Sequence, residues 1–371
     1  MFCSYCGNRL KRSENFCGEC GNEVKLKFQD NIDNDKSEDK RNKDSDNLFK
    51  RIGKIGDAEG VGEFKFQRFF GGIFQKHTVE EIEQSLIVGT KTTTPKIKEV
   101  ILDYPQPWLF FRLVSASVLL FYAFLLAYRY FDNTKLVAGL IFCGSFAVPI
   151  STLFLFFEIN IRKNIPLWQV IRLVFFGGIL SMVITLILFQ NTQSLSNAFG
   201  ASSAGLIEEP AKLGALIFLM RGENIKKYPY ILNGLLLGAS VGCGFAAFES
   251  AGYALEAGLF SSTGKMIESI QLRGILSPFG HIVWTAVSGA ALWRVKKGGY
   301  FSLQLFKDKR FFKPFGLIVA CHFIWNSGLP SPFMLIQLIS GLTSWVVALS
   351  LVNLGIQEIE KEQSGEKVFK I

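Results

Sequence analysis

The chain has 371 residues, 49% of them hydrophobic and 36 of them Phe, and the apolar surplus lies after Trp108 in runs that repeat to Leu354. A soluble domain of that make-up would aggregate. The formal net charge of +9 invites nucleic acid as a partner, but the basic residues gather in the N-terminal third and in short loops between apolar runs. Membrane topology accounts for that distribution, so the partner expected is a lipid bilayer and no nucleic acid.

Four of the seven cysteines open the chain: Cys3, Cys6, Cys17 and Cys20, in a C-x2-C-x10-C-x2-C spacing with Gly7 and Gly21 directly after each pair. Two such knuckle turns present four thiolates to one structural zinc, and so short a segment takes its folding free energy from the metal. A closed four-cysteine site leaves no position for substrate. Residues 1–25 are therefore expected to be a zinc ribbon acting as adaptor or sensor for a protein partner, apart from the chemistry. Cys143, Cys243 and Cys321 sit in apolar runs and are read as small fillers. No signal-peptide core occurs in the first hundred residues, so the N-terminus is expected in the cytoplasm, where disulfides are not.

Residues 26–47 are Asp, Lys, Asn, Glu and Ser with almost nothing apolar, which predicts a disordered linker. Residues 48–107 regain aromatic content and are expected to form a small cytoplasmic or juxtamembrane module. There Thr78 and Glu81 make a capping box that opens a short helix through Leu86. His77, just before it, is not expected to be a ligand.

The polytopic domain, residues 108–355, reads as eight spans: Trp108 to Tyr130, Leu136 to Phe157, Trp168 to Phe189, Ser196 to Met220, Ile231 to Leu255, Ile275 to Trp293, Pro314 to Ser327 and Pro332 to Leu354. Residues 356–371 are left as a cytoplasmic tail. The even-numbered connections hold twelve Lys and Arg and the odd-numbered ones, with their flanks, only Arg129, Lys135, Lys265 and Arg273. The positive-inside rule then sets both termini in the cytoplasm of a cell-membrane protein. The fold class expected is an all-α polytopic membrane protein of about eight transmembrane helices, preceded by the ribbon and its linker.

Six ionisable residues interrupt the fourth to seventh of these spans: Glu208, Glu209, Lys212, Glu249, His281 and His322. Each costs about 3 kcal/mol at the bilayer centre, so they mark function. Glu208 and Lys212 are four apart and able to neutralise each other, whereas Glu208 and Glu209 point about 100° apart and can hold different jobs. At a rise of about 1.5 Å per residue, Glu249, His281 and His322 lie roughly 9 Å below the outer boundary and Glu208 roughly 12 to 18 Å. Tyr253 shares a helix face with Glu249, and Asn326 with His322. Pro210 removes a backbone donor, and the small residues from Gly200 to Gly205 let a helix or a substrate approach closely.

At these residues the chain resembles the PrsW family of intramembrane proteases, related to the CAAX prenyl protease superfamily. The motifs are Glu208-Glu209-Pro210-Ala211-Lys212, Phe248-Glu249-Ser250-Ala251-Gly252-Tyr253, His281 to Gly289 and His322 to Asn326, in order on four consecutive spans. The resemblance implies an endopeptidase that cuts a membrane-anchored protein, such as an anti-sigma factor, on its outer side. Two chemistries fit it. In one, Glu249, His281 and His322 bind a divalent metal, zinc being the natural choice, which acidifies a water, while a second glutamate shuttles protons. In the other, Glu208 with His281 activates water directly, and His322 with Asn326 donates hydrogen bonds to the oxyanion. Glu208 is the expected base in both. Glu209 and Lys212 are open to a purely structural reading as an ion pair, and Tyr253 to one as a packing residue. Two readings from other classes stay open: a transporter or channel whose ion path these charges line, and a catalytically idle binding or immunity protein.

Overall fold

The structure is a computed structural model that describes residues 51–57, 69–102, 104–330, 332–366 and 368. The expected ribbon, with Cys3, Cys6, Cys17 and Cys20, and the linker over 26–47 lie outside the described residues. All regular structure among the described residues is helical. In chain order the helices of seven residues or more are α1 (Val79–Leu86), α2 (Leu109–Phe131), α3 (Leu136–Ile159), α4 (Leu167–Asn191), α5 (Gln193–Phe199), α6 (Ser203–Met220), α7 (Ile231–Phe260), α8 (Thr263–Leu276), α9 (His281–Lys296), α10 (Lys309–Trp325) and α11 (Leu335–Gln363). Six stretches are long and apolar enough to cross a membrane: α2, α3, α4, α7, α11 and the run Thr263–Lys296 that joins α8 to α9. The chain is a multi-pass membrane protein.

The cap on α1 forms as the sequence reads. Glu81 N donates to Thr78 Oγ1 at 3.2 Å and Thr78 N to Glu81 Oε2 at 2.9 Å. His77 faces Gly72 O and Glu81 Oε2, both at 3.2 Å, and stacks on Trp108 with ring centroids 3.7 Å apart. It fastens the module to the start of α2. That start is also held by Glu158 of α3, whose carboxylate accepts the backbone N–H groups of Trp108, Leu109 and Phe110 at 2.8, 2.8 and 3.0 Å. An anion there satisfies donors that a helix N-terminus leaves unpaired. Phe69, Val88 and Val100 of the module are buried in one core with Ile159 and Ile165.

The fifth expected span runs on to Phe260, and four others have different limits, each for a local reason. The fourth is broken at Gly200, whose φ of +56° and ψ of −138° suit only glycine, so α6 begins at Ser203. The sixth is broken by a 3-10 turn, Ser277–Phe279, around Pro278, and α9 begins at His281 itself. The residues before that break, read as a loop, form α8. The seventh starts earlier, because Asp308 caps α10 by accepting from Arg310 N at 2.9 Å, and Pro314 is carried inside the helix. The eighth outlasts its hydropathy: Glu358 accepts from Ile231 N at 2.7 Å, and Gln363 Nε2 donates to the carbonyls of Ile97 and Val100 at 3.0 Å. The first part of the expected tail is therefore helix.

The axis is α7, buried without a break from Ile231 to Ala247. Gly234, Gly238 and Gly242 face α9 along one stripe. A Cβ at these positions would stand 2.6 Å from Gly289 O, 2.2 Å from Thr285 O and 2.4 Å from His281 O. Only glycine admits such contact, which is how close helix pairs are built in membranes. On another side Gly244 meets α4, where a Cβ would lie 1.8 Å from Val174 O. That carbonyl belongs to a π-helical turn, Leu173–Gly177.

Candidate active site

Helices α6, α7, α9 and α10 bring their ionisable residues to one place. Gly205 lets α6 and α10 touch, since a Cβ there would lie 2.6 Å from Phe323 N. This approach sets the two carboxylates of α6 against His322. The glycine stripe of α7 does the same for His281, the first residue of α9.

Glu208 Oε2 stands 3.7 Å from His281 Nδ1 and 3.8 Å from His322 Nε2, and it is buried without a hydrogen-bond partner. The far nitrogen of each imidazole is taken by another carboxylate. His322 Nδ1 donates to Glu209 Oε1 at 2.8 Å and His281 Nε2 to Glu249 Oε2 at 3.0 Å. Those bonds fix the tautomers, so that both lone pairs point toward Glu208. Behind the carboxylates stand two cations. Lys212 Nζ donates to Glu209 Oε1 at 2.5 Å, and the Arg273 guanidinium donates to Glu249 Oε2. Lys212 is wholly buried, 4.7 Å from the centroid of the Phe245 ring and 5.7 Å from that of Trp284.

Of the two pairings the sequence left open for Lys212, the closer is with Glu209, three residues away, and Glu208 lies at 3.9 Å. Glu208 is thereby left facing the two histidines, while Glu209 points back into the protein. The later starts of α6 and α9 also change the depth estimates, because Glu208 is only five residues into its helix and His281 begins its own.

Glu208, His281 and His322 offer ligand atoms that all lie within 4.8 Å of one another. The trio differs from the expected set in that Glu208 takes the place given to Glu249, whose Oε2 is engaged by Arg273 and His281. One carboxylate oxygen and two imidazole nitrogens are a zinc-type donor set, and bonds of about 2.1 Å in tetrahedral array put donors roughly 3.4 Å apart. The separations of 3.7 and 3.8 Å are close to that, and the orphaned Glu208 oxygen gains a partner, so the residues fit a divalent metal. Lys212 Nζ also donates to His281 Nδ1, at 2.9 Å. Ammonium and metal compete for that one lone pair.

A cavity of about 480 Å³ opens onto the trio, and Glu249, Tyr253 and Asn326 also line it, together with Ser196, Gly200, Ser203 and Ala204. Asn326 ends α10, its N–H donating to His322 O at 3.3 Å. Tyr253 is half exposed with Arg273 stacked over its ring at 4.4 Å. Cys243 and Cys321 are buried and Cys143 partly so. Two neighbours of the site escaped the sequence reading. Arg273 was counted as a loop charge; it lies on α8, a helix hidden by the misread break. Trp284 stacks on His322 at 4.2 Å and donates from Nε1 to Ser344 Oγ at 3.1 Å, and its one signal was the i, i+3 spacing from His281.

No curated protein and no solved structure matches the chain. The family model described as PrsW family intramembrane metalloprotease matches residues 165–354, a stretch that begins just before α4 and contains all of the ionisable residues contributed by α6, α7, α9 and α10. By that match, over half of its length, the chain belongs to the PrsW family of intramembrane metalloproteases.

Proposed function

We propose that this intramembrane protease holds a divalent metal, zinc being the best fit, between Glu208, His281 and His322, and cuts a membrane-anchored protein in the cavity beside them. The observation that carries the reading is the unpartnered Glu208 oxygen, equidistant from two imidazole nitrogens whose lone pairs are turned toward it. A metal there supplies a Lewis acid and a water acidified toward pKa ~7. Glu209 and Glu249 orient the two histidines from behind, the arrangement that raises the basicity of metal-binding imidazoles. Glu249 is also the second carboxylate in the cavity wall, and proton transfer to the leaving amine falls to it. Asn326 and Tyr253 offer an amide and a hydroxyl to the developing oxyanion.

A second reading has its own support. The Lys212 ammonium already donates to His281 Nδ1, which suits direct activation of water by Glu208 with no metal, on the prenyl-protease analogy. Metal analysis of purified protein, combined with cleavage of a single-pass substrate by wild type and Glu208→Ala, separates the two. Both readings expect that variant to be folded and inactive, and retained cleavage would remove Glu208 from the chemistry. Ion flux in liposomes with no peptide cutting would instead favour a transporter.

The membrane arrangement belongs to the same proposal. At about 1.5 Å per residue, α6 and α10 are about 27 and 26 Å long, near the ~30 Å of a hydrocarbon core. Counted with the six longer stretches, and with α9 as the crossing part of its run, they make eight crossings. Both termini are then cytoplasmic and the site lies in the outer half of the bilayer. A zinc ribbon on Cys3, Cys6, Cys17 and Cys20 that binds a protein partner, and a substrate that is a signalling protein of the anti-sigma-factor kind, complete the proposal.

A further inference from the structure

Each histidine of the site closes a chain of three side chains, cation to carboxylate to imidazole. One chain is Lys212–Glu209–His322, with links of 2.5 and 2.8 Å; its first two members lie three residues apart on α6. The other is Arg273–Glu249–His281, assembled from α8, α7 and α9. Both converge on Glu208 Oε2. In the second chain the cation is the only member outside the four motifs.

Arg273 has no other evident reason to be where it is. It stands near the C-terminal end of α8, and its side chain is about a quarter exposed, 27%, on the cavity wall. Three contacts fix the guanidinium: the Glu249 carboxylate, Ser250 Oγ at 3.0 Å from Nε, and the Tyr253 ring at 4.4 Å. A planar fork held on three sides fixes the oxygen it binds, which a flexible ammonium does less well. The oxygen concerned is Glu249 Oε2, the same atom that receives the His281 Nε2–H.

We infer that Arg273 is a positioning residue of the metal site: it locks Glu249, which locks the tautomer and orientation of His281 so that Nδ1 faces Glu208. This rests on the proposed metal reading. Arg273 contributes no ligand atom and acts through Glu249 alone. Loss of an outer partner of a metal-binding histidine typically weakens metal affinity about 10- to 100-fold.

The test is titration of the full-length protein in detergent micelles with Co2+, read by visible absorption and by Zn2+ competition. The variants are Glu208→Gln, Glu249→Gln, Arg273→Gln, Arg273→Lys and the double variant Glu249→Gln/Arg273→Gln, all with the four N-terminal cysteines changed to Ser so that the ribbon adds no signal. The expected result is a 10- to 100-fold weaker Co2+ affinity for Arg273→Gln, part of it recovered by Arg273→Lys, and no further loss in the double variant beyond Glu249→Gln. Saturating Zn2+ should also restore most of the turnover of Arg273→Gln. Wild-type affinity in Arg273→Gln, with binding lost in Glu208→Gln, overturns the inference and leaves the metal reading standing. Additive losses in the double variant overturn the route through Glu249. A wild-type protein that binds no Co2+ overturns the metal reading and the inference together.

Discussion

Glu209 Oε1 lies 2.8 Å from Nδ1 of His322, a residue 113 positions further along the chain, and 2.5 Å from the ammonium of Lys212. A single carboxylate oxygen thus serves a buried cation and a buried imidazole at once. Replacing Glu209 by Ala leaves the buried Lys212 with only the longer 3.9 Å approach of Glu208 as counter-charge, and breaking a buried pair in this way costs about 3–5 kcal/mol. Glu209→Ala should be destabilised by that amount in mixed-micelle unfolding, while the double variant Glu209→Gln/Lys212→Met should recover much of the loss. Equal instability of the single and double variants would show that the charge pair is not the cause.

Removing metal should silence the enzyme without unfolding the membrane domain. Dialysis against a chelator is expected to bring cleavage to background, with Zn2+ restoring it, in wild type and in a variant lacking residues 1–25 alike. Full activity in chelator-treated protein with no residual metal would select the metal-independent scheme. Loss of all intrinsic activity on truncation would put the ribbon inside the chemistry.

The glycine stripe of α7 gives a geometric prediction. At Gly242 a Cβ would stand 2.4 Å from the carbonyl of His281, so Gly242→Val must push α9 outward and carry His281 with it. A displacement of about 1 Å in a catalytic group can cost about 100-fold in rate. Cleavage by Gly242→Val should fall on that scale, whereas Gly214→Ala, with nothing within 4 Å of its added carbon, should cleave like wild type. Matching rates in the two variants would refute helix contact as what places His281.

Asp308 caps α10 and is gripped by Arg310, whose Nη2 donates to Oδ2 at 2.6 Å and Nε to Oδ1 at 3.1 Å. The hydrogen bonds from Arg310 hold its carboxyl below the ordinary Asp value, near 3.9. A folded-state value below the unfolded one gives stability that is present in full above the unfolded value and is lost as the pH falls through the folded one. Asp308→Ala should therefore cost about 1 kcal/mol at neutral pH, and the difference from wild type should shrink toward zero under strong acid. A difference independent of pH would mean that the ionised carboxylate is not what caps the helix.

Much of this protein was legible in its residues because a bilayer makes polar groups conspicuous. Glu208, Glu209, Glu249, His281 and His322 stand out of apolar runs, since nothing short of function offsets their burial. The Thr78–Glu81 box announces α1 because both of its bonds are local. Period and hydropathy likewise locate the bodies of the long helices. Their ends were less legible: the break at Gly200, the turn at Pro278 and the cap at Asp308 depend on single residues whose effect is settled by what packs beside them. Polar residues of α11 stay helical because Glu358 and Gln363 find partners on distant segments.

What the sequence determined by itself, then, is the list of chemical groups and the membrane environment that makes them costly, because composition and hydropathy are properties of each segment alone. What only the tertiary structure decided is their pairing: that Lys212 serves Glu209 before Glu208, that Glu208 rather than Glu249 faces both histidines, and that Arg273 belongs to the site at all. Those choices are made where α6, α7, α8, α9 and α10 meet, at backbone contacts that glycines permit. A helix read by itself fixes the direction of a side chain about its own axis but not which neighbour it will find.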